Sequence, residues 1–240
     1  MALFSPTGGL VYHLRARRHR ERLWLPFRRA VAAWLAEALP PGEELILVGP
    51  SAGHCLPSEH LARFERLLLL EPDAVARFLF RRRLGSIPIS HMTDDLLVSP
   101  LLSGAPGLDA LLQARPTARV LFCNLLGQLQ LDSSDEQHTG WRDAFQRRIL
   151  PELRGRRWAS FHDRWSLDRA ASEPPLPLEL RFARAPSDDE LGASLFGAAG
   201  PPVAVLDHGT ASLFPEAAPH RYFTWQLTAD ALHVVEAVSG

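Results

Sequence analysis

The chain has 240 residues, of which 46% are hydrophobic and 22% are charged, and its formal net charge at pH 7 is -1. These values are typical of a globular protein and exclude a globally basic nucleic-acid-binding protein. The two cysteines, Cys55 and Cys123, cannot supply a disulfide framework or a CxxC zinc site, and the absence of lysine excludes Schiff-base chemistry.

The first elements along the chain follow from apolar spacing. Residues 23–39 predict a helix, because apolar side chains recur at steps of three and four residues until Pro40, Pro41 and Gly42 end the pattern. Residues 45–48 are an unbroken apolar run typical of a buried parallel strand, and residues 67–70 are a second one. Between the two strands, a glycine loop precedes a helix that we expect to begin near Ser58.

The same alternation continues towards the C-terminus. We predict helices at residues 74–84, 108–114 and 141–153, and strands at residues 96–98, 119–123, 158–162 and 203–206. The runs at residues 222–227 and 232–238 predict a β-hairpin at the edge of the sheet. This order predicts an α/β fold, a doubly wound and mostly parallel Rossmann-like sheet with a C-terminal antiparallel hairpin.

Composition divides the chain into four segments. Residues 1–40 are an arginine-rich segment and helix, residues 41–169 a Rossmann-like core, residues 170–202 a loop-rich insertion, and residues 203–240 closing strands of the same sheet. The longest apolar runs are too short for a membrane span, and the N-terminal arginines follow a Gly/Pro-containing segment in the wrong order for a secretory signal. We therefore expect a cytoplasmic protein without membrane contact.

The loop Gly49-Pro50-Ser51-Ala52-Gly53 fits two kinds of site. As a GxSxG nucleophile elbow it would present Ser51, with His208, His220 or His233 as the later histidine. That fold places several strands before its elbow, however, and Pro57 delays the helix after Ser51. The favoured interpretation is a ligand loop, in which Gly49 and Gly53 let the backbone approach a ligand and Glu71 lies about twenty residues further on, after the second strand.

On these residues the chain resembles class I S-adenosylmethionine-dependent methyltransferases, over roughly residues 23–165 and the closing hairpin. The resemblance implies that S-adenosylmethionine is the cofactor, with Gly49, Pro50, Ser51, Ala52 and Gly53 at its methionine end. It also implies that Glu71 binds the ribose, that Pro72 or Asp73 lies at the adenine edge, and that Asn124 lies beside the cofactor and the accepting atom. The family loop is usually richer in glycine, and the proline and aromatic residue that often follow Asn124 are missing here.

Two histidines are candidate general bases. His162 and His208 each follow a predicted strand, next to Asp163 and Asp207, and an unperturbed imidazole titrates near neutral pH. The four side chains could hold a metal ion if they met, but His-Asp pairs are common at strand ends and we expect no metal. A turn cap is an equally weighted interpretation of Asn124.

The acceptor and partners have no readable motif. The resemblance implies a small-molecule or protein/peptide methyl acceptor. Arginines near the start of the chain could bind a phosphate-bearing substrate or RNA, although a solvated helix face is favoured; they are Arg15, Arg17, Arg18, Arg20, Arg22, Arg28 and Arg29. The alternative function is a non-catalytic Rossmann-like binding protein or partner subunit. A protein partner or a homodimer is also considered.

Overall fold

The computed structural model describes residues 9–85, 87–129, 135–197 and 204–240. Its helices are α1 (Gly9–His19), α2 (Leu25–Ala38), α3 (Ser58–Leu61), α4 (Ala74–Leu84), α5 (Val98–Ser103), α6 (Leu108–Gln113), α7 (Asp135–Ala144), α8 (Leu150–Leu153) and α9 (Asp188–Phe196), with a π-helical segment at Phe145–Ile149. Its strands are β1 (Glu44–Val48), β2 (Arg66–Leu70), β3 (Ile89–Met92), β4 (Arg119–Cys123), β5 (Trp158–Asp168), β6 (Glu179–Phe182), β7 (Val205–Asp207), β8 (His220–Gln226) and β9 (Ala231–Ser239).

The strands of the described ranges form one sheet in the order β3-β2-β1-β4-β5-β9-β8-β6, and β7 also pairs with β5. β1 to β5 run parallel, whereas β9 is antiparallel to β5 and to β8. This confirms the predicted doubly wound, mostly parallel sheet with a C-terminal antiparallel hairpin. The hairpin does not form the edge, however, because β6 pairs with β8 outside it.

Hydrophobic layers cover both faces of the sheet. Helix α2 buries Phe27, Val31 and Trp34 against one face, as its apolar spacing predicts. The Phe27 ring stacks on Trp225 of β8 at 4.8 Å between ring centroids. The other face packs against the α5 to α8 region, where Phe122 and Phe145 meet edge to face. None of the helices in the described ranges is long and apolar enough to cross a membrane.

The third strand is not where the sequence predicted it. The prediction of a strand at residues 96–98 is wrong: β3 is Ile89–Met92, and Val98 begins α5. The carboxylate of Asp95 explains the helix, because it accepts hydrogen bonds from the backbone N–H groups of Leu97, Val98 and Ser99 at 2.8 to 3.0 Å. These are N–H groups that a helix cannot satisfy internally.

The segment 170–202 contains regular structure in its described part. Strand β6 and helix α9 both lie there, so the loop-rich description was incomplete. Helix α9 begins with a capping box: the Glu190 N–H donates to Ser187 Oγ at 3.2 Å, and the Ser187 N–H donates to Glu190 Oε2 at 2.8 Å. Residues 1–8 and 198–203 lie outside the described residues. They include the beginning of the predicted segment 1–40, the end of the predicted segment 170–202, and the first residue of the strand predicted at 203–206.

Strand β5 is longer than predicted and contains an irregularity that sets side-chain directions. Neighbouring residues of a strand point to opposite faces, so His162 and Asp163 lie on opposite sides of the sheet. The pairing with β9 shifts between Asp163 and Trp165, which is a β-bulge. The extra residue puts Ser166 on the same face as Asp163, and Ser166 pairs directly with His233 of β9.

Candidate functional site

A cavity of about 420 Å³ lies at the carboxyl ends of β1, β2 and β4. The sheet extends from β1 through β2 to β3 on one side and through β4 to β5 on the other, so the winding reverses here. Ligands of doubly wound folds bind at this position, and the volume suits a small molecule. The cavity is lined by parts of the glycine loop, residues 71–73 and 94–98, residues after β4, and aromatic side chains from α1, β5 and β8.

The glycine loop turns sharply at three positive φ angles: +63° at Gly49, +50° at Ser51 and +65° at Gly53. A Cβ on Gly49 would lie 2.8 Å from Leu125 Cβ, and a Cβ on Gly53 would lie 2.8 Å from Phe80 Cε2. Glycine is therefore required at both positions for conformation and for space.

The five predicted loop residues divide into two groups. Gly49, Pro50 and Ser51 line the cavity. Ala52 is buried behind that surface, and Gly53 faces Phe80 of α4. The loop therefore lines the cavity with its first three residues, whereas the last two pack against the protein interior.

Glu71 joins the glycine loop to the end of β2. Its side chain is 5% exposed, and its carboxylate accepts hydrogen bonds from the Ser51 N–H at 2.8 Å and the Asp73 N–H at 3.0 Å. Burial raises the pKa of Glu71, and these two backbone donors offset only part of the rise. A carboxylate offers about four acceptor positions, so about two are not used by these backbone donors.

The residues after Glu71 have structural partners as well as a place in the lining. Pro72 and Asp73 both line the cavity. Asp73 also caps α4, because its Oδ1 accepts from the Val75 N–H at 2.8 Å and the Ala76 N–H at 3.3 Å. The Arg77 guanidinium donates to the carbonyls of Glu71 and Pro72 at 2.8 and 2.7 Å, which holds the end of β2 in place.

Asn124 follows β4 and lines the cavity in a left-handed conformation, with φ of +51°. Its N–H donates to the Phe161 carbonyl at 2.7 Å, and its Nδ2 donates to Asp163 Oδ2 at 3.2 Å. Within the described ranges its Oδ1 is buried and has no hydrogen-bond partner. Asn124 thus occupies a turn, as the capping interpretation expects, and also lines the cavity, although its Oδ1 is enclosed by protein.

Sequence reasoning missed an aromatic end of the cavity, formed by Tyr12, Phe161 and Trp225. Trp225 is 3% exposed, and its Nε1 has no hydrogen-bond partner in the part of the chain that the structure describes. Tyr12 comes from α1, which the sequence did not predict as a helix, and its hydroxyl lies 3.8 Å from Cys55 Sγ. Burial raises the pKa of Tyr12 well above its usual value and that of Cys55 to about 12, so both are neutral at pH 7.

The two predicted histidine bases are not brought together, and neither lines the cavity. His162 is fully buried on the opposite face, with Nδ1 3.0 Å from Ser160 Oγ and Nε2 3.6 Å from Glu236 Oε2. His208 is buried beside β5, with Nε2 2.7 Å from Ser166 Oγ. Asp207 forms an ion pair with Arg164, whereas the hydrogen-bond partners of His208 are Ser166 and Gly127.

The geometry does not support the nucleophile elbow. Within the described ranges no hydrogen bond joins Ser51 Oγ to a histidine. The three histidines considered for a triad have other partners: His208 contacts Gly127 and Ser166, His220 Nδ1 lies 2.5 Å from Glu236 Oε1, and His233 lies beside Asp163. A serine nucleophile needs a base within hydrogen-bond reach.

No protein-family model matches the chain, and no curated protein matches its sequence. The chain is similar to solved structures at low identity. One is the N-methyltransferase NodS from Bradyrhizobium japonicum with S-adenosyl-L-homocysteine: 14% identity, 90% of this chain and 88% of that chain covered, TM-score 0.45. Another is a complex of DhpI with SAH: 12% identity, 94% and 92% covered, TM-score 0.40.

A third similar structure is the amino pentose methyltransferase CalS10 from Micromonospora echinaspora with SAM bound: 18% identity, 97% of this chain and 99% of that chain covered, TM-score 0.38. NodS and CalS10 are named as methyltransferases. At these scores the function of this chain has to be inferred from its own site.

Proposed function

We propose that the protein binds S-adenosylmethionine in the cavity and transfers its methyl group to an acceptor held at the aromatic end. The observation that supports this most strongly is the convergence of Gly49, Glu71 and Asn124 on one cavity from the ends of three adjacent parallel strands. Each supplies a different element of recognition: a backbone turn, a carboxylate and an amide.

The cofactor would lie across the ends of β1 and β2. The backbone of Gly49, Pro50 and Ser51 would face its methionine portion, because the turn with positive φ at Gly49 and Ser51 brings these three residues to the cavity wall. The carboxylate of Glu71 would accept hydrogen bonds from the ribose hydroxyls. Pro72 and the apolar side chain of Leu97 would contact the adenine, and both line the same cavity.

When bound, the cofactor supplies an electrophilic methyl group on a sulfonium, so the protein contributes mainly by aligning the acceptor with that group. Asn124 lines the cavity, so its side-chain amide would lie beside the accepting N–H or O–H of a bound substrate. Tyr12, Phe161 and Trp225 would enclose an apolar or aromatic part of a small acceptor. His162 and His208 both lie outside the cavity lining, so neither is placed beside the acceptor, and proton removal by either stays a prediction.

Calorimetric titration with S-adenosylhomocysteine tests the assignment of Glu71. In Glu71→Gln an amide nitrogen would face one of the two backbone N–H donors or a ribose hydroxyl. Hydrogen bonds to a charged group contribute about 1.5 to 3 kcal/mol, so we expect roughly 10- to 150-fold weaker binding. Glu65→Gln is the matched control, because Glu65 is exposed and precedes β2 at the opposite end. Equal affinity of the two variants would reject this role for Glu71.

A non-catalytic binding protein is the alternative that this titration leaves open. Incubation with S-adenosylmethionine and a panel of amines and phenols, with S-adenosylhomocysteine as the measured product, separates the two functions. Release that depends on an acceptor and falls in Asn124→Ala supports methyl transfer. Tight cofactor binding without release over the whole panel would favour the non-catalytic function.

A further inference from the structure

We propose that Asp163, His208 and His233 bind a first-row divalent transition-metal ion beside the cavity. One donor atom from each residue lies within 4.8 Å of the other two. Asp163 and His208 are buried, and His233 is half-buried. Two imidazoles and one carboxylate form a donor set that such ions bind in proteins. This inference does not depend on the proposed methyl transfer.

Three strands bring these residues together. Asp163 lies in β5, His233 in β9, and His208 follows β7, which pairs with the second half of β5. The β-bulge after Asp163 lets that residue share a sheet face with Ser166, and the register places His233 directly opposite Ser166. The same alternation directs His162 away, which is why it takes no part.

The contacts of His208 fix which of its nitrogens faces the cluster. Its Nδ1 lies 2.8 Å from the Gly127 carbonyl oxygen, which can only accept, so Nδ1 carries the proton. The lone pair of Nε2 then points towards Ser166 and His233, and in the absence of an ion it accepts a hydrogen bond from the Ser166 hydroxyl at 2.7 Å. A backbone carbonyl on the second imidazole nitrogen is the arrangement usual for metal-binding histidines. Gly127 permits it, because a Cβ there would lie 2.5 Å from the Asp163 carbonyl oxygen.

The carboxylate of Asp163 is 1% exposed and has one oxygen available. Oδ2 accepts a hydrogen bond from Asn124 Nδ2. Oδ1 lies 3.1 Å from His233 Nδ1, but the two atoms are not aligned for a hydrogen bond. Ser166 Oγ lies 3.4 Å from Nδ1 and 3.3 Å from Nε2 of His233, so it does not select one ring nitrogen. A cation between Oδ1 and the two imidazoles would give Oδ1 a partner and would take the place of the Ser166 hydroxyl at the imidazoles.

The three protein ligands would leave coordination positions for water or a substrate oxygen or nitrogen. The site is linked to the cavity through Asn124, which lines the cavity and donates to Asp163. Both cysteines lie outside the cluster, so the proposed ligand shell contains nitrogen and oxygen without sulfur.

Titration of the metal-free 240-residue chain with Co²⁺, followed by visible absorption and calorimetry, tests the site. We expect one Co²⁺ per chain and, in His233→Gln, binding weaker by more than the roughly 10- to 100-fold that loss of an outer-shell partner costs. His91→Gln is the matched control, because His91 is also half-buried but lies in β3. The proposal would be overturned if wild type does not bind Co²⁺, or if His233→Gln binds Co²⁺ with the same affinity as wild type.

X-ray absorption of the Zn²⁺-loaded wild-type chain keeps the test decisive if His233→Gln does not fold. The proposal predicts two imidazole ligands, further oxygen ligands and no sulfur. A sulfur ligand, or fewer than two imidazoles, would overturn it. Neither experiment uses S-adenosylmethionine, so failure of the metal site and failure of the cofactor assignment can be told apart.

Discussion

Replacing Gly49 by alanine tests whether the loop geometry at the cavity is required. The new Cβ would lie 2.8 Å from both Cβ and Cδ2 of Leu125, at a φ of +63°. The left-handed conformation costs a residue with a Cβ about 1 to 2 kcal/mol, and displacing a packed side chain costs about 1 to 3 kcal/mol more. We therefore expect Gly49→Ala to lower the free energy of unfolding by about 2 to 5 kcal/mol, measured by urea denaturation.

Two other glycines separate the contributions. Gly155 has a φ of +79° and nothing within 4 Å of an added Cβ, so Gly155→Ala should cost only the conformational part. Gly53→Ala would place a residue with a Cβ at a φ of +65° and would bring that Cβ to 2.8 Å from Phe80 Cε2, away from the cavity. Gly49→Ala should weaken binding of S-adenosylhomocysteine more than either control. The reasoning is refuted if Gly49→Ala is no more destabilising than Gly155→Ala.

Two further predictions concern buried and capping carboxylates. Burial acts to raise the pKa of Glu236, but His162 and His220 lower it from 4.5 to about 2. At about 1.36 kcal/mol per pKa unit, this shift contributes on the order of 3 kcal/mol to the free energy of unfolding, and Glu236→Gln removes that contribution. The contribution is present above pH 4.5 and is lost as the pH falls towards 2. Urea denaturation at pH 6 and pH 3 should therefore show that the difference in stability between wild type and Glu236→Gln shrinks at the lower pH. An advantage that persists unchanged at pH 3 would contradict this. Asp95→Ala should cost about 1 kcal/mol by removing the hydrogen bonds at the start of α5, whereas the exposed Asp94→Ala should cost little; equal effects would reject the capping role.

The first half of the fold could be predicted because its signals are local. The apolar runs of β1, β2 and β4 are short, unbroken and bounded by turn residues, which identifies strands buried on both faces. Gly49 and Glu71 could be assigned to one site because parallel strands end at the same edge of a sheet. The error at residues 96–98 arose because the cap formed by Asp95 was not recognised, although an aspartate before an apolar run is a helix signal.

The remainder depends on long-range geometry. Nothing local in the sequence shows the bulge after Asp163, yet the bulge places Ser166 instead of Trp165 directly opposite His233. The aromatic end of the cavity joins Tyr12 to Trp225 across most of the chain, so periodicity could not have found it. Helix α9 was different, because its capping box at Ser187 and Glu190 is visible in the sequence.

Calorimetric titration of the wild-type chain with S-adenosylhomocysteine tests the central claim most directly, with NAD⁺ as the comparison ligand. The account predicts saturable binding of one S-adenosylhomocysteine per chain and no competition by NAD⁺. The absence of S-adenosylhomocysteine binding, or preferential binding of NAD⁺, would contradict the assignment of the cavity between Gly49, Glu71 and Asn124.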